Sequence, residues 1–185
     1  MKFNTAIITF FFSAISGAVT GILLCYEYWF MTGLTSGLLF GFFTSLANLK
    51  YYREQKWALI FNTFLCPIMV LLAVFINVII TELYLLLPRV ISSIELSTCL
   101  GISLSFCFSL LFFFHKQNKL RLLIYTTITG GVSAFFVSHL NHLIGGTDYF
   151  NINNMGLVSV LFALWFGLTG ASISLFMDKK WKDLK

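Results

Sequence analysis

Charged residues and prolines are scarce in this 185-residue sequence. Only 10% of the residues are charged and only 2 are proline, whereas 58% are hydrophobic and the mean hydropathy is +0.89. A soluble globular chain is typically about 45–50% apolar and about 25% charged. The shortage of charge therefore excludes an ordinary soluble enzyme, a disordered protein and a soluble nucleic-acid-binding protein.

The sequence also lacks paired cysteines and clustered metal ligands. None of its 4 cysteines forms a Cys-x-x-Cys pair, which a quinone-linked thiol oxidoreductase would be expected to contain. No metal-binding motif and no nucleophile–base motif of an intramembrane protease is present. We therefore expect no catalytic residues, no cofactor and no metal. Whether Cys25 and Cys99, both near the predicted outer face, pair with each other stays open.

Long hydrophobic runs make up most of the sequence. A membrane-spanning helix needs roughly 20 apolar residues. Because the lipid core cannot satisfy backbone polar groups, each span is expected to be an α-helix. The sequence predicts an all-α, polytopic membrane helix bundle that forms a single integral membrane domain over residues 1–185. The six predicted transmembrane helices cover about 5–24, 31–49, 57–80, 93–114, 121–143 and 156–177.

The distribution of basic residues predicts the threading. With the N-terminus inside, 11 of the 12 basic residues lie on the inner side, and only Arg89 lies outside. Basic residues favour the cytoplasmic side of a membrane. The sequence therefore predicts an N-in/C-in protein of three in–out–in hairpins, in a bacterial inner membrane. The basic pI of about 9.1 follows from this topology and does not indicate binding to nucleic acid.

The hairpins resemble one another in sequence. Residues 15–21 align with residues 128–134, and residues 33–36 align with residues 156–159. In the middle hairpin, Phe106 corresponds to Phe42 at an offset of 64 residues. These matches favour parallel repeats, in contrast to the inverted repeats of many transporters. Chance alignment of apolar sequence is the alternative.

Small residues recur at every fourth position in five of the six spans. This spacing places them on one helix face, where they let two backbones approach closely. The two interpretations are packing within the chain and contact with a second subunit. The residues predicted to pack helices are Gly17, Gly21, Gly33, Gly37, Gly41, Gly101, Gly130, Ala134 and Gly167.

Polar side chains gather near the predicted outer face. His139 and His142 are three residues apart, on one helix face, with Asn141 between them. Glu27 and Asp148 are predicted on the same side of the membrane. Polar groups at membrane depth are costly and often functional, so these five residues are a candidate ligand-binding or sensing surface. The alternative is a helix end whose histidines touch water and lipid headgroups.

The predicted inner loops are short and basic. Basic residues beside a membrane attract anionic lipid headgroups, and they also serve to dock an inner-side protein. Both interpretations apply to the following residues: Lys50, Arg53, Lys56, Lys116, Lys119, Arg121, Lys179, Lys180 and Lys182.

Three functions fit these features. The first is a non-enzymatic sensor, anchor or immunity component that acts through a partner protein; membrane subunits of antiviral defence pairs such as Kiwa, and immunity proteins against pore-forming bacteriocins, belong to this class. The second is transport. In size, helix number and glycine content the chain resembles the substrate-binding subunits of energy-coupling-factor vitamin transporters. The third is an oligomeric channel or pore-forming effector. The expected partners are the lipid bilayer and either further copies of the chain or another protein.

Overall fold

The structure is a computed structural model, and it describes residues 2–26, 29–52, 55–85, 93–111, 119–145 and 155–178. These residues form six α-helices and one short 3₁₀ turn, with no strand among them. The helices are α1 (Lys2–Leu24), α2 (Trp29–Ala47), α3 (Gln55–Leu85), α4 (Ser93–Leu111), α5 (Lys119–Gly145) and α6 (Met155–Asp178), and the 3₁₀ turn is Leu49–Tyr51.

The all-α fold predicted from the sequence is confirmed for the described residues, and four of the helices are compatible with a membrane. Stretches of α1, α3, α5 and α6 are each long and apolar enough to cross a membrane. Among the described residues, α2 and α4 carry shorter apolar stretches, Met31–Ala47 and Thr98–Phe108. The crossing of the membrane by all six helices stays a prediction.

Helix α3 is longer than the predicted span 57–80. Its 31 residues would reach about 46 Å, against about 30 Å for a bilayer core. Apolar composition locates the hydrocarbon-buried part of a helix, whereas hydrogen bonding continues into the polar headgroup region. The helix also continues through Pro67, which lies inside it.

The six helices form a closed ring. Each helix packs against its neighbours in sequence, and α6 returns to pack against α1 in the most extensive pairing of the bundle. Gly17 of α1 lies against Phe162 of α6, whereas Gly21 lies against Ser159, so the two helices are antiparallel. Contacts that run in opposite directions along the paired helices show that α1 and α2, α2 and α3, and α4 and α5 are antiparallel as well.

One end of the bundle is called the basic end here. Lys50, in the 3₁₀ turn after α2, and Lys56, in the first turn of α3, mark it. Because α1 is antiparallel to both α2 and α6, α1 begins and α6 ends at the same end. The threading predicted from charge requires the start of α1 and the end of α6 to lie at the same end of the bundle as Lys50 and Lys56. The structure places them so.

Three phenylalanines from alternate helices meet inside the ring. Phe40 of α2 stacks on Phe108 of α4 with ring centroids 4.3 Å apart, and it lies 5.3 Å from Phe166 of α6. The centroids of Phe108 and Phe166 are 6.2 Å apart. All three side chains are buried. This group, the aromatic triad, fills the space between α2, α4 and α6.

The close glycine contacts lie between hairpins. The pairings of α2 with α3, α4 with α5 and α6 with α1 are each more extensive than the pairings within the three hairpins. A Cβ atom on Gly37 would lie 2.6 Å from Cα of Pro67 in α3. A Cβ atom on Gly101 would overlap the Cβ atom of Ala134 in α5. Small residues therefore let the three hairpins approach one another. We call the contacts of α2 with α3, α4 with α5 and α6 with α1 the glycine seams.

Positions that align in the sequence repeat occupy equivalent seams. Gly17 aligns with Gly130, and each lies where the first helix of its hairpin meets the last helix of another hairpin. Gly37 and Gly101 correspond at the offset of 64 and lie on the second helices of their hairpins, again at seams. These equivalent places in the ring are what parallel repeats require, and the repeat itself stays a prediction.

Candidate functional site

Of the predicted outer polar surface, the structure describes one side chain, that of His139. His139 is exposed on α5, and its ring lies parallel to that of Phe135, one turn earlier, with centroids 6.0 Å apart. Asn141 and His142 follow on the same helix, but their side chains lie outside the described part. Glu27 and Asp148 also lie outside the described residues. His139 is therefore placed on the outer surface of the bundle, beside an exposed aromatic ring.

Among the basic residues predicted to contact lipid or a partner, the structure describes two side chains. Lys50 and Lys56 are both exposed at the basic end. Lys119 and Arg121 lie in the first turn of α5, described by backbone alone. The remaining five lie outside the described residues: Arg53, Lys116, Lys179, Lys180 and Lys182.

The predicted packing residues all lie on described helices. Gly17 and Gly21 face α6, Gly37 and Gly41 face α3, and Gly101 faces α5. Gly130 and Ala134 of α5 face α4, and Gly167 of α6 faces the ring of Phe10. Gly33 makes only ordinary van der Waals contact, with Val70 at 3.7 Å from its would-be Cβ atom.

A buried polar network joins α1 to α2 near the basic end. Ser13 and Thr44 share a hydrogen bond of 3.1 Å between their hydroxyl oxygens. One turn further, Nδ2 of Asn48 donates to Oγ1 of Thr9 at 3.4 Å and to the carbonyl oxygen of Thr44 at 2.8 Å. All four side chains are fully buried. This group, the polar network, fixes the end of α2 against α1.

The polar network leads directly to Lys50. Thr9 donates its hydroxyl proton to the carbonyl oxygen of Thr5, and the hydroxyl oxygen of Thr5 accepts a 2.6 Å hydrogen bond from Nζ of Lys50. The same ammonium lies 4.8 Å from the ring centroid of Tyr51, within the range of a cation–π interaction. Two contacts on one flexible side chain hold the ammonium in a defined position.

Tyr52 ties the 3₁₀ turn to α3. Its hydroxyl oxygen accepts a 3.1 Å hydrogen bond from Nδ2 of Asn62, a buried residue of α3. Burial raises the pKa of Tyr52, and the hydrogen bond from Asn62 opposes this effect in part. The phenol is therefore neutral at physiological pH and acts as a hydrogen-bonding group.

Some buried polar atoms keep unused hydrogen-bonding capacity. Oδ1 of Asn48 and Oγ of Ser174 are buried without a hydrogen-bond partner among the described residues. A buried polar atom without a partner costs about 1–3 kcal/mol. The basic half of the bundle therefore has sites at which water or another small polar molecule would be stabilised.

The chemistry of the described residues is hydrogen bonding and charge. Thr9, Ser16 and Thr20 each donate a hydroxyl proton to a carbonyl oxygen of α1, so these hydroxyls are not paired with a base. The four cysteines are free thiols. No group of three His, Cys, Asp or Glu side chains that could hold a metal occurs in the described part of the chain.

Sequence reasoning did not identify the polar network. Thr5, Thr9 and Ser13 repeat at every fourth position of α1, but the four-residue spacing was used only to predict packing residues such as Gly17 and Gly21. A search for hydroxyl residues at this spacing, facing an Asn at the end of the next span, would have found the network. The register between two helices is required to pair them.

Comparison with known proteins adds no assignment. No protein-family model matches the sequence, and no match occurs among the curated proteins or the solved structures.

Proposed function

We propose that the protein is a non-enzymatic, multi-pass membrane protein that acts as a sensor or anchor by binding a partner protein at its basic end. The proposal places six spans in a bacterial inner membrane, with both chain termini in the cytoplasm. Its partner docks on the basic loop 115–121 and the tail 179–185. Identification of the partner protein would establish whether this function serves antiviral defence or bacteriocin immunity.

The observation that carries the proposal is the closed axis of the bundle. The aromatic triad fills the space between α2, α4 and α6, and the glycine seams bring helix backbones into contact. Three buried rings packed at this level of the axis leave no room for water or ions to pass between them. A bundle closed at this level presents its surface chemistry at its two ends, and the threading predicted from the sequence places 11 of the 12 basic residues at one of them.

The state of the hydroxyl groups supports a non-enzymatic role. A serine or threonine nucleophile needs an adjacent base that accepts its proton. In the polar network, the Thr9 proton is donated to a backbone carbonyl oxygen, and the Asn48 amide supplies no base. The Lys50 ammonium adjoins the network through Thr5, and it is already bound to the Thr5 hydroxyl.

Cross-linking in the native cell tests the proposal. The tagged protein is cross-linked, purified in mild detergent and analysed by mass spectrometry. We expect a partner protein in fixed stoichiometry, cross-linked through Lys116, Lys119, Lys179 or Lys180. Recovery of the protein without a partner would contradict the proposal.

A charge-neutral variant sharpens this test. Changing the same four lysines to Gln should abolish recovery of the partner, because long-range attraction and surface contacts are lost together. The matched control changes them to Arg, which keeps the charge and hence the threading. Equal abundance of both variants in the membrane fraction is required. Unchanged partner recovery with the Gln variant would count against docking at this surface.

Uptake of a small molecule is the second candidate function. It is favoured by the unpartnered Oδ1 of Asn48 and Oγ of Ser174, which lie buried where a polar ligand would gain hydrogen bonds. The chain's resemblance to vitamin-binding subunits suggests the probes. Purified protein is screened with water-soluble vitamins by thermal shift, with Asn48→Ala as the variant that should lose the response. No shift with any of them, or equal shifts in both proteins, would argue against uptake.

A channel is the third candidate, and the closed axis disfavours it. The aromatic triad would have to separate before ions could pass. Conductance of the purified protein in planar bilayers would be the contrary observation. If it were abolished by a bulkier side chain at Phe40, such as Phe40→Trp, the axis itself would be the pore.

A further inference from the structure

The basic end has a corner where a positive charge is both positioned and exposed. The ammonium of Lys50 is held by the Thr5 hydroxyl at 2.6 Å and lies over the ring of Tyr51. The Lys50 side chain nevertheless remains exposed. An ammonium has three N–H donors, and Thr5 uses one of them. The charge is therefore pre-arranged and has donors left for an external anion.

A second lysine and an exposed indole lie in the first turn of α3, which follows the 3₁₀ turn of Lys50 in the chain. Lys56 and Trp57 begin α3, six and seven residues after Lys50. Lys56 is exposed, and Trp57 is 69% exposed although it is a large aromatic side chain. Tryptophan is enriched at the boundary between the hydrocarbon core and the headgroups of a membrane. The corner formed by Lys50, Tyr51, Lys56 and Trp57 is called the Lys50 corner.

No described carboxylate lies near these lysines. Among the described side chains the one carboxylate is that of Glu82, which lies near the far end of α3 from Lys56. Neither lysine therefore has a carboxylate partner within that part of the chain. The backbone beneath is fixed, because Asn48 binds α1 and Tyr52 binds α3 on either side of the 3₁₀ turn.

We propose that the Lys50 corner is a binding site for the phosphate of an anionic phospholipid in the cytoplasmic leaflet. The two lysines bind the headgroup, and Trp57 lies beside the upper acyl chain, with its ring in the interfacial region. Lipid is the favoured source of the phosphate because the exposed indole and the adjoining apolar face of α3, including Phe61 and Phe64, adjoin the charge. A soluble phosphate compound would use the lysines alone. The site lies outside the loop and tail proposed to dock the partner protein.

Lipid selectivity of the purified protein tests this site. The protein is placed in mixed micelles containing equal amounts of phosphatidylglycerol and phosphatidylcholine, and retained lipid is counted by native mass spectrometry. A lysine near anionic lipid contributes about fivefold to binding. We expect the preference for phosphatidylglycerol to fall at least about fivefold for Lys50→Gln and further for Lys50→Gln combined with Lys56→Gln. The control, Lys185→Gln, removes the same charge from the tail and should leave the preference unchanged.

A second variant separates positioning from charge. Thr5→Val keeps the Lys50 charge but removes the hydroxyl that holds it, and the lipid preference should fall, by less than for Lys50→Gln. An unaltered preference in Lys50→Gln would overturn the proposal. So would a loss of equal size in Lys185→Gln, which would indicate only net charge.

Competition distinguishes lipid from free phosphate. Millimolar inorganic phosphate or glycerol phosphate should leave lipid retention unchanged, because neither probe contacts Trp57 or the apolar face of α3. Displacement of the lipid by either probe would assign the corner to a soluble phosphate instead. The experiment uses purified protein without a partner, so its outcome is independent of partner docking in the cell.

Discussion

Gly17 of α1 lies directly against the backbone carbonyl of Phe162 in α6, so that a Cβ atom at this position would overlap the carbonyl oxygen. One turn later, a Cβ atom on Gly21 would lie 2.6 Å from Cα of Ser159. The first and last helices are thus joined backbone to backbone. This contact closes the ring of helices, and it is the most extensive pairing in the bundle.

Gly17→Ala should therefore destabilise the protein by about 1–3 kcal/mol, as overpacking does in closely packed interiors. The opposing atoms belong to backbone, which cannot move aside as a flexible side chain would. The matched control is Gly156→Ala in the first turn of α6, where no heavy atom lies within 4 Å of the would-be Cβ atom. The free energy of unfolding in detergent is measured for both. Equal stability of the two variants would contradict the seam.

Phe108→Ala should cost about 3–5 kcal/mol, because it removes a fully buried ring from the aromatic triad and leaves a cavity between three helices. Phe64→Ala on α3 is the control, since its ring is 67% exposed on the outside of the bundle. Thermal unfolding followed by tryptophan fluorescence compares them. A smaller loss for Phe108→Ala than for Phe64→Ala would place the triad outside the core.

Asn48→Ala should lower the free energy of unfolding by about 1–3 kcal/mol, because the amide hydrogen bonds to Thr9 and to the Thr44 carbonyl are lost inside the bundle. Asn4→Ala, at an exposed position near the start of α1, serves as the control and should be nearly neutral. Chemical unfolding in the same detergent measures both. A neutral Asn48→Ala would mean that the polar network does not hold α1 to α2.

Tyr52→Phe should reduce stability by about 1 kcal/mol at pH 7, since Asn62 loses its hydrogen-bond acceptor. Burial raises the pKa of Tyr52 in the folded protein above the value of about 10 in the unfolded chain. The neutral phenol therefore stabilises the fold below about pH 10, and this contribution declines as the pH rises further.

The measurement is the difference in unfolding free energy between the wild-type protein and Tyr52→Phe from pH 7 to pH 11. The difference should be constant up to about pH 9 and then shrink. A difference that stays constant to pH 11 would show that Tyr52 titrates alike in both states.

The helical membrane fold followed from the sequence because both of its causes are local. Apolar length specifies a membrane helix, and the four-residue spacing of Gly17 and Gly21, or of Gly37 and Gly41, places small residues on one face. Which helix each face meets is not local information. The repeat gave a partial guide, since aligned positions such as Gly17 and Gly130 occupy equivalent seams.

The aromatic triad and the Lys50 corner could not be predicted from the sequence. The sequence has 22 phenylalanines, and nothing in their order distinguishes Phe40, Phe108 and Phe166 from those that face outward. The contact of Lys50 with Thr5 spans 45 residues and depends on the register of α1 and α2. His139 was singled out because polar groups at membrane depth are costly, and its ring lies exposed beside Phe135. Its grouping with the other predicted outer polar residues stays a prediction.

The placement of the basic end in the cytoplasm is the central claim of this account, and cysteine labelling on α3 tests it most directly. Lys56→Cys and Leu83→Cys place single thiols near opposite ends of one helix, both at exposed positions, in a protein whose four cysteines are replaced. A membrane-impermeant maleimide is applied to intact spheroplasts and to inverted membrane vesicles. With the basic end in the cytoplasm, we expect labelling of Leu83→Cys in spheroplasts and of Lys56→Cys in inverted vesicles. The reverse pattern would contradict the threading and, with it, the docking of a cytoplasmic partner.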